Sequence, residues 1–182
     1  MPREYIETDE AGRVRERCFR DEQGRLEGES TTHDESGRVL QRAHWREGKL
    51  HGPFIQYGPS GEVEQRAMFV EGRLEGPMRL YDERGRTLRE LSFREGLPHG
   101  ELAIHEDGQL LVKQSFAEGR PEGPLEIHEE GQPVRRALFH KGKRLGKPLE
   151  VGPDTAPPAP EPEPESKPRS WLEGWLRGGP DS

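Results

Sequence analysis

The chain has 182 residues, of which 29% are hydrophobic and 35% are charged, and its formal net charge is −7. This composition excludes a thick two-sided core, and the lack of a basic run removes the electrostatic footprint that a nucleic-acid partner needs. The same acidity disfavours an anionic membrane surface. No apolar signal region opens the chain and no stretch approaches the roughly 18 apolar residues of a membrane span. We therefore expect a cytoplasmic protein.

The chain is a repeat array. The pattern Gly-x-x-x-Gly occurs six times, and its first glycines are separated by 24, 24, 24, 23 and 23 residues. Those glycines are Gly24, Gly48, Gly72, Gly96, Gly119 and Gly142. Each unit of such an array is one supersecondary element that buries its apolar side only against its neighbours.

Alignment on these glycines gives two columns of large side chains. An aromatic residue stands three positions before the first glycine in five units, namely Trp45, Phe69, Phe93, Phe116 and Phe139, and Phe19 precedes Gly24 by five. A second column has an apolar body and a polar tip, and contains His33, Tyr57, Tyr81, His105 and His128. Apolar residues alternate with polar ones around both columns, which indicates two strands per unit.

Residues 1–151 are therefore predicted to be all-β: an elongated antiparallel meander of about six repeated hairpins, about a dozen strands and roughly 60 Å long. One face would carry the aromatic and aliphatic columns and the other would carry Arg, Glu and Gln. The glycines supply the positive φ of tight turns. Proline at 53, 77 and 124 is expected at the first position of a strand.

Two stretches, from Trp45 to Tyr57 and from Phe93 to Gly100, resemble the MORN repeat. The version with a longer second strand is closer still to the MORN-like variant of bacterial proteins labelled YwqK-family antitoxins. The resemblance covers roughly residues 5 to 151. It implies a hairpin-array fold and an antitoxin or immunity-type protein that neutralises a toxin or a secreted effector by binding it.

Beyond residue 151 the periodicity stops. Alternating Pro and Glu over residues 152–169 predict an extended, flexible linker. Residues 170–182 contain two i, i+4 pairs that favour a short amphipathic helix, formed by Trp171, Leu172, Trp175 and Leu176. This segment could dock on a partner, or it could fold back to cover the chain's own sheet. The sequence leaves both alternatives open.

Catalytic and metal chemistry finds no support in the sequence. Histidine and tyrosine share one column, and no Cys-x-x-Cys or His-x-x-x-His spacing occurs. Glutamates recur beside the turn glycines in four of the six units, whereas a catalytic pair would be unique. The only cysteine, Cys18, aligns with small residues and predicts a packed, inert thiol. We expect no enzymatic activity, no cofactor and no metal.

The function predicted from the sequence is thus non-enzymatic binding of a protein partner by an extended repeat surface. A toxin or effector is the partner that the family resemblance implies. The alternative is a membrane-recruitment or scaffold protein that uses its repeats and the C-terminal tryptophans at a lipid interface.

Overall fold

The computed structural model describes residues 1–151, so the predicted linker (152–169) and C-terminal segment (170–182) lie outside the described residues. Their division from the repeat domain stays a prediction. Within residues 1–151 the chain forms only strands and the turns between them. The strands are β1 (Arg3–Thr8), β2 (Val14–Arg20), β3 (Gly28–His33), β4 (Val39–Arg46), β5 (Lys49–Tyr57), β6 (Val63–Val70), β7 (Arg73–Leu74), β8 (Gly76–Tyr81), β9 (Thr87–Arg94), β10 (Leu97–Glu106), β11 (Gln109–Ala117), β12 (Arg120–Glu129), β13 (Gln132–His140) and β14 (Lys143–Glu150).

These fourteen strands make one antiparallel sheet in which each strand pairs with the next in the chain. The short β7 and β8 both pair with β6, so they act as one interrupted strand. The sheet is therefore thirteen strands across, or about 58 Å at about 4.8 Å per step. The predicted all-β meander of hairpins is confirmed.

Side chains alternate between two faces of this sheet. The face that carries Ala43, Phe69 and Phe93 is called the aromatic face, and the one that carries Arg42, Arg66 and Arg79 is called the charged face. Buried residues gather on the aromatic face in two clusters, formed by Ala43, Phe54, Ala67 and Phe69, and by Leu91, Phe93, Leu102 and Phe116. Leu74 and Met78 pack against both clusters and join them.

The aromatic column is most deeply packed in the middle of the array. Phe69, Phe93 and Phe116 are buried, whereas Trp45 and Phe139 are partly exposed. Trp45 donates its indole N–H to the Ser30 hydroxyl over 2.8 Å, which satisfies the polar end of the ring. Neighbouring rings also touch: the centroids of Phe54 and Phe69 lie 5.9 Å apart with the rings at 67°.

Phe19 does not belong to this column. Cys18 is buried on the aromatic face and pairs with Tyr5, so its neighbour Phe19 points to the opposite side and pairs with Glu4. Arg20 takes the aromatic position in this unit, and its guanidinium lies over the Tyr5 ring at 5.7 Å from the centroid. In the sequence, Phe19 already differs from the other aromatic residues, because it precedes the first glycine of its unit by five residues instead of three.

The hairpin turns are tighter and the strands longer than the sequence predicted. Seven of the turns consist of only two residues, such as Glu47 and Gly48, both with φ above zero as a type I′ turn requires. The residues that follow are already in β5, so Pro53 lies inside that strand and not at its first position, as Pro124 lies inside β12. A bulge explains the position of Pro53, because four steps from Leu50 to Phe54 on β5 correspond to only two steps on β4.

Candidate functional site

Residues of the polar-tip column lie on the charged face, opposite the aromatic column. Each lies at the last or next-to-last position of a strand whose alternate residues point to that face, as with Tyr81 after Arg79 and His128 after Glu126. The Nε2 atom of His128 lies 3.8 Å from a Glu126 oxygen, which agrees with this placement. Hence the two columns predicted from the sequence do not form one surface.

Three histidines of this column carry a buried ring nitrogen with no hydrogen-bond partner. These atoms are the Nδ1 atoms of His33, His105 and His128. Among residues 1–151 no group of three or more His, Cys, Asp or Glu side chains is arranged to hold a metal ion. The histidines are therefore spaced along the sheet and do not converge on one centre.

A central row of side chains crosses the charged face from strand to strand. Register places Arg42 opposite Ile55, Ile55 opposite Arg66, and Arg66 opposite Arg79. The row continues with Glu90, Ala103, Lys113, Glu126 and Arg136. Its first half is thus cationic and apolar, and its second half alternates in charge.

Charges in the second half neutralise one another. Arg79 donates to Glu90 over 2.7 Å, and Lys113 lies 2.9 Å from Glu101. The hydrogen bonds that Arg79 and Lys113 donate to these carboxylates raise the pKa of both side chains. Arg136 likewise lies 2.9 Å from Glu126. Every basic residue of this half of the row therefore has an acidic neighbour.

Arg42 and Arg66 differ from these residues. Both side chains are exposed, and within residues 1–151 neither has a hydrogen-bond or ion-pair partner. They flank Ile55 on the central strand of three. Arg66 also faces Arg79, which is itself paired with Glu90 and so is not available to Arg66 as an opposite charge.

A largely apolar hollow adjoins Ile55 and has Arg66 in its wall. Its volume is about 380 Å³, and the rest of its lining includes Pro53, Met68, Glu75 and Pro77. Met68 is 43% exposed although it lies in the middle of a strand. We call the hollow together with Arg42 and Arg66 the cationic groove.

One glycine belongs to the wall of the cationic groove. Gly76 contributes no side chain to this wall and adopts a φ of 78°. Gly52 precedes the lining residue Pro53 and lies against His44, so that a Cβ added at Gly52 would come within 3.2 Å of the His44 Cβ. The Nδ1 atom of His44 lies 3.1 Å from the carbonyl oxygen of His51.

The C-terminal residues that the sequence singled out, Trp171, Leu172, Trp175 and Leu176, lie outside the described residues. Sequence reasoning assigned Arg to the charged face but did not single out Arg42 or Arg66. Their distinction depends on which acidic residue lies across the strand, and the register that decides this was not predicted.

A scan against protein-family models and a search of curated proteins both find no match for this chain. The resemblance to MORN repeats and to the bacterial antitoxin-labelled variant therefore stays a prediction. Within residues 1–151, no helix is long and apolar enough to cross a membrane.

Proposed function

We propose that this chain is a non-enzymatic binding protein whose cationic groove takes an extended, acidic and partly apolar segment of a partner protein. One observation carries the proposal. Within residues 1–151 Arg42 and Arg66 have no ion-pair partner, and Arg66 lines the hollow together with exposed Met68, while the basic residues farther along the same row are paired. Two guanidinium groups that flank the apolar Ile55 match carboxylates that flank an apolar side chain.

The partner's chemistry follows from the dimensions of the site. Arg42 and Arg66 stand on strands two steps apart, about 10 Å, with Ile55 between them. An extended segment advances about 3.3 Å per residue and turns alternate side chains to the same side, so carboxylates two or four residues apart, roughly 7 or 13 Å, would face both arginines. An apolar side chain between them would lie over Ile55, which lines the hollow.

Neutralisation of a toxin or secreted effector is the sharper form of this proposal, and it rests on the family resemblance. An immunity-type protein must be able to bind one partner tightly and specifically. Charged groups on the partner would supply specificity and a fast encounter, and the apolar hollow would supply the buried contact.

A selection from random peptides tests the proposal. The full chain is immobilised, a phage library of twelve-residue peptides is selected on it, and the enriched sequences are compared with the input. We expect enrichment of Asp or Glu at spacings of two to four around Leu, Phe or Trp. The same selection on an Arg42→Glu, Arg66→Glu variant should lose that enrichment, while a Lys113→Glu, Arg136→Glu variant should keep it.

Two further probes separate the alternatives. A synthetic peptide of residues 161–177 of this chain joins glutamates to Trp171 and Trp175, and its binding to the groove would mean that the C-terminal segment covers the chain's own sheet. Vesicles with anionic lipid test membrane recruitment. Vesicle binding that depends on Arg42 and Arg66, with no acidic peptide selected, would contradict protein binding and support the alternative.

A further inference from the structure

We propose that two copies of this chain associate through their β1 strands, which pair antiparallel about a two-fold axis to extend the sheet from one copy into the other. In the described residues, β1 pairs only with β2, and no other strand covers its outer edge. An open strand edge offers unpaired N–H and C=O groups to another chain. The proposal does not depend on the cationic groove.

The side chains of β1 fit a second copy better than they fit their own neighbour strand. Within the chain, Arg3 lies opposite Arg20 and Glu7 lies opposite Glu16. Like charges placed directly opposite destabilise an antiparallel pair. Neither Arg3 nor Glu7 has an ion-pair partner within residues 1–151.

A two-fold axis through Tyr5 corrects both mismatches. Residues that face each other across such an axis lie on the same face, so Tyr5 meets Tyr5 of the other copy, and Arg3 meets Glu7 twice. Tyr5 and Ile6 are 47% and 48% exposed, so pairing would also bury apolar surface on both faces. Charge, register and exposure therefore favour the same arrangement.

The opposite edge of the sheet resists such pairing. Strand β14 carries Lys143, Arg144 and Lys147, and its residue Pro148 has no N–H to donate. Natural sheets block their edges with lysine and proline in this way. A two-fold contact at β14 would also bring basic residues of two copies together. The chain thus has one open edge and one protected edge, which predicts a closed dimer and not a fibre.

A β1 dimer would place two cationic grooves on one continuous sheet. Arg42 lies on β4, three strands from β1, so the two copies of Arg42 would be seven steps or roughly 34 Å apart. A partner with two acidic segments, or a partner that is itself dimeric, would engage both grooves at once.

Sedimentation equilibrium of the full chain over a wide range of concentration tests the proposal. We expect a reversible monomer–dimer equilibrium in the micromolar range, because an interface of one strand lies at the small end of specific interfaces. Arg3→Glu should weaken dimerisation by about tenfold or more, since each dimer gains two repulsive contacts. Glu7→Arg should do the same.

The double variant Arg3→Glu, Glu7→Arg is the decisive control, because it restores the two intermolecular ion pairs with their signs exchanged. It should dimerise within about threefold of the wild type. Each single variant also replaces a like-charge pair inside the chain with an opposite-charge pair, so neither should unfold the sheet. Lys147→Glu on β14 should leave the equilibrium unchanged.

Other results would overturn the proposal. A chain that stays monomeric at every concentration excludes the dimer, including the case in which residues 152–182 cover β1. A dimer that survives both single variants uses another surface. A dimer that the double variant fails to restore does not have Arg3 opposite Glu7.

Discussion

The two halves of the charged face are built on the same hairpin but treat their basic residues differently. From Arg79 onward each basic residue of the central row has an acidic neighbour, at 2.7 Å for Glu90 and 2.9 Å for Glu126. In the first half, Arg42 and Arg66 flank Ile55 and have no ion-pair partner among residues 1–151. In such a repeat fold the buried face stabilises the sheet, so the residues of the exposed face can vary. The unpaired arginines are therefore a candidate for function.

The contrast between the two halves would be contradicted if they differed in stability as well as in charge. Phe69 and Phe93 belong to the two buried clusters and are 7% and 8% exposed. We expect Phe69→Ala and Phe93→Ala each to lower the free energy of unfolding by about 3 to 5 kcal/mol. Urea denaturation measures this.

A matched surface variant controls for the substitution itself. Arg94 is exposed and follows Phe93, and Arg94→Ala should cost under about 0.5 kcal/mol. If either phenylalanine-to-alanine variant loses no more unfolding free energy than Arg94→Ala, the two buried clusters are not equivalent. The contrast between the halves would then not be confined to the charged face.

One loop in the first half departs from its repeats and offers a second test. In four loops an aspartate accepts hydrogen bonds from the chain, and an arginine that follows the glycine bonds back to it, as Arg38 bonds to Asp34. The loops concerned begin at Asp9, Asp21, Asp34 and Asp82. Between β5 and β6 the corresponding residues are Gly58 and Glu62.

Restoring the repeat pattern there should stabilise the sheet. A Cβ at Gly58 would approach a Glu62 carboxylate oxygen to 2.3 Å, so aspartate at 58 requires Glu62 to be replaced as well. The other Glu62 oxygen is buried without a partner. We expect Gly58→Asp with Glu62→Arg to raise the free energy of unfolding by about 1 kcal/mol. Gly58→Asp alone should lower it, and the opposite ranking would contradict the assigned loop geometry.

Acid should lower the free energy of unfolding through the same loops. Hydrogen bonds from the Arg13 N–H, and from Ser36 and Arg38, lower the pKa of Asp9 and of Asp34 below the usual 3.8. A carboxyl whose pKa is lowered by folding stabilises the folded state above its unfolded pKa, and this contribution is lost as the pH falls below about 3.8. Unfolding free energy should therefore decline with acidity below pH about 4.

The loop aspartates can be separated from the other carboxylates. Asp9→Asn with Asp34→Asn should make the decline below pH about 4 shallower, at a small loss of stability at neutral pH. Both residues lie in loops of the first half. Denaturation series between pH 2.5 and 6 measure the slopes. An equal slope in wild type and variant would mean that other carboxylates control the acid response.

Particular residues show which parts of the fold could be predicted from the sequence. Alternation around Phe69 and Phe93 and the regular glycines predicted the hairpins, because period two and positive φ are local properties of the chain. The interior position of Pro53 was missed, since the bulge that accommodates it depends on pairing with β4. The Asp-x-x-Gly-Arg loops were visible in the sequence, for example at Asp34, but were not recognised as a motif.

The cationic groove was less predictable than the fold. Arg42, Arg66 and Arg136 look alike in the sequence, since each precedes an alanine. What separates them is the acid on the adjacent strand, such as Glu126 beside Arg136, and this needs the register to within one residue.

We propose that the unpaired arginines of the first half make it the binding half. Isothermal titration with the best selected acidic peptide tests this on the full chain and on two variants with equal charge change, Arg42→Glu with Arg66→Glu, and Lys113→Glu with Arg136→Glu. We expect the first variant to weaken binding by about a hundredfold or more, because two charge-assisted contacts are lost. The second should change binding by less than about threefold. Equal weakening in both variants would show that the peptide senses only the overall charge of the face, and would contradict the claim.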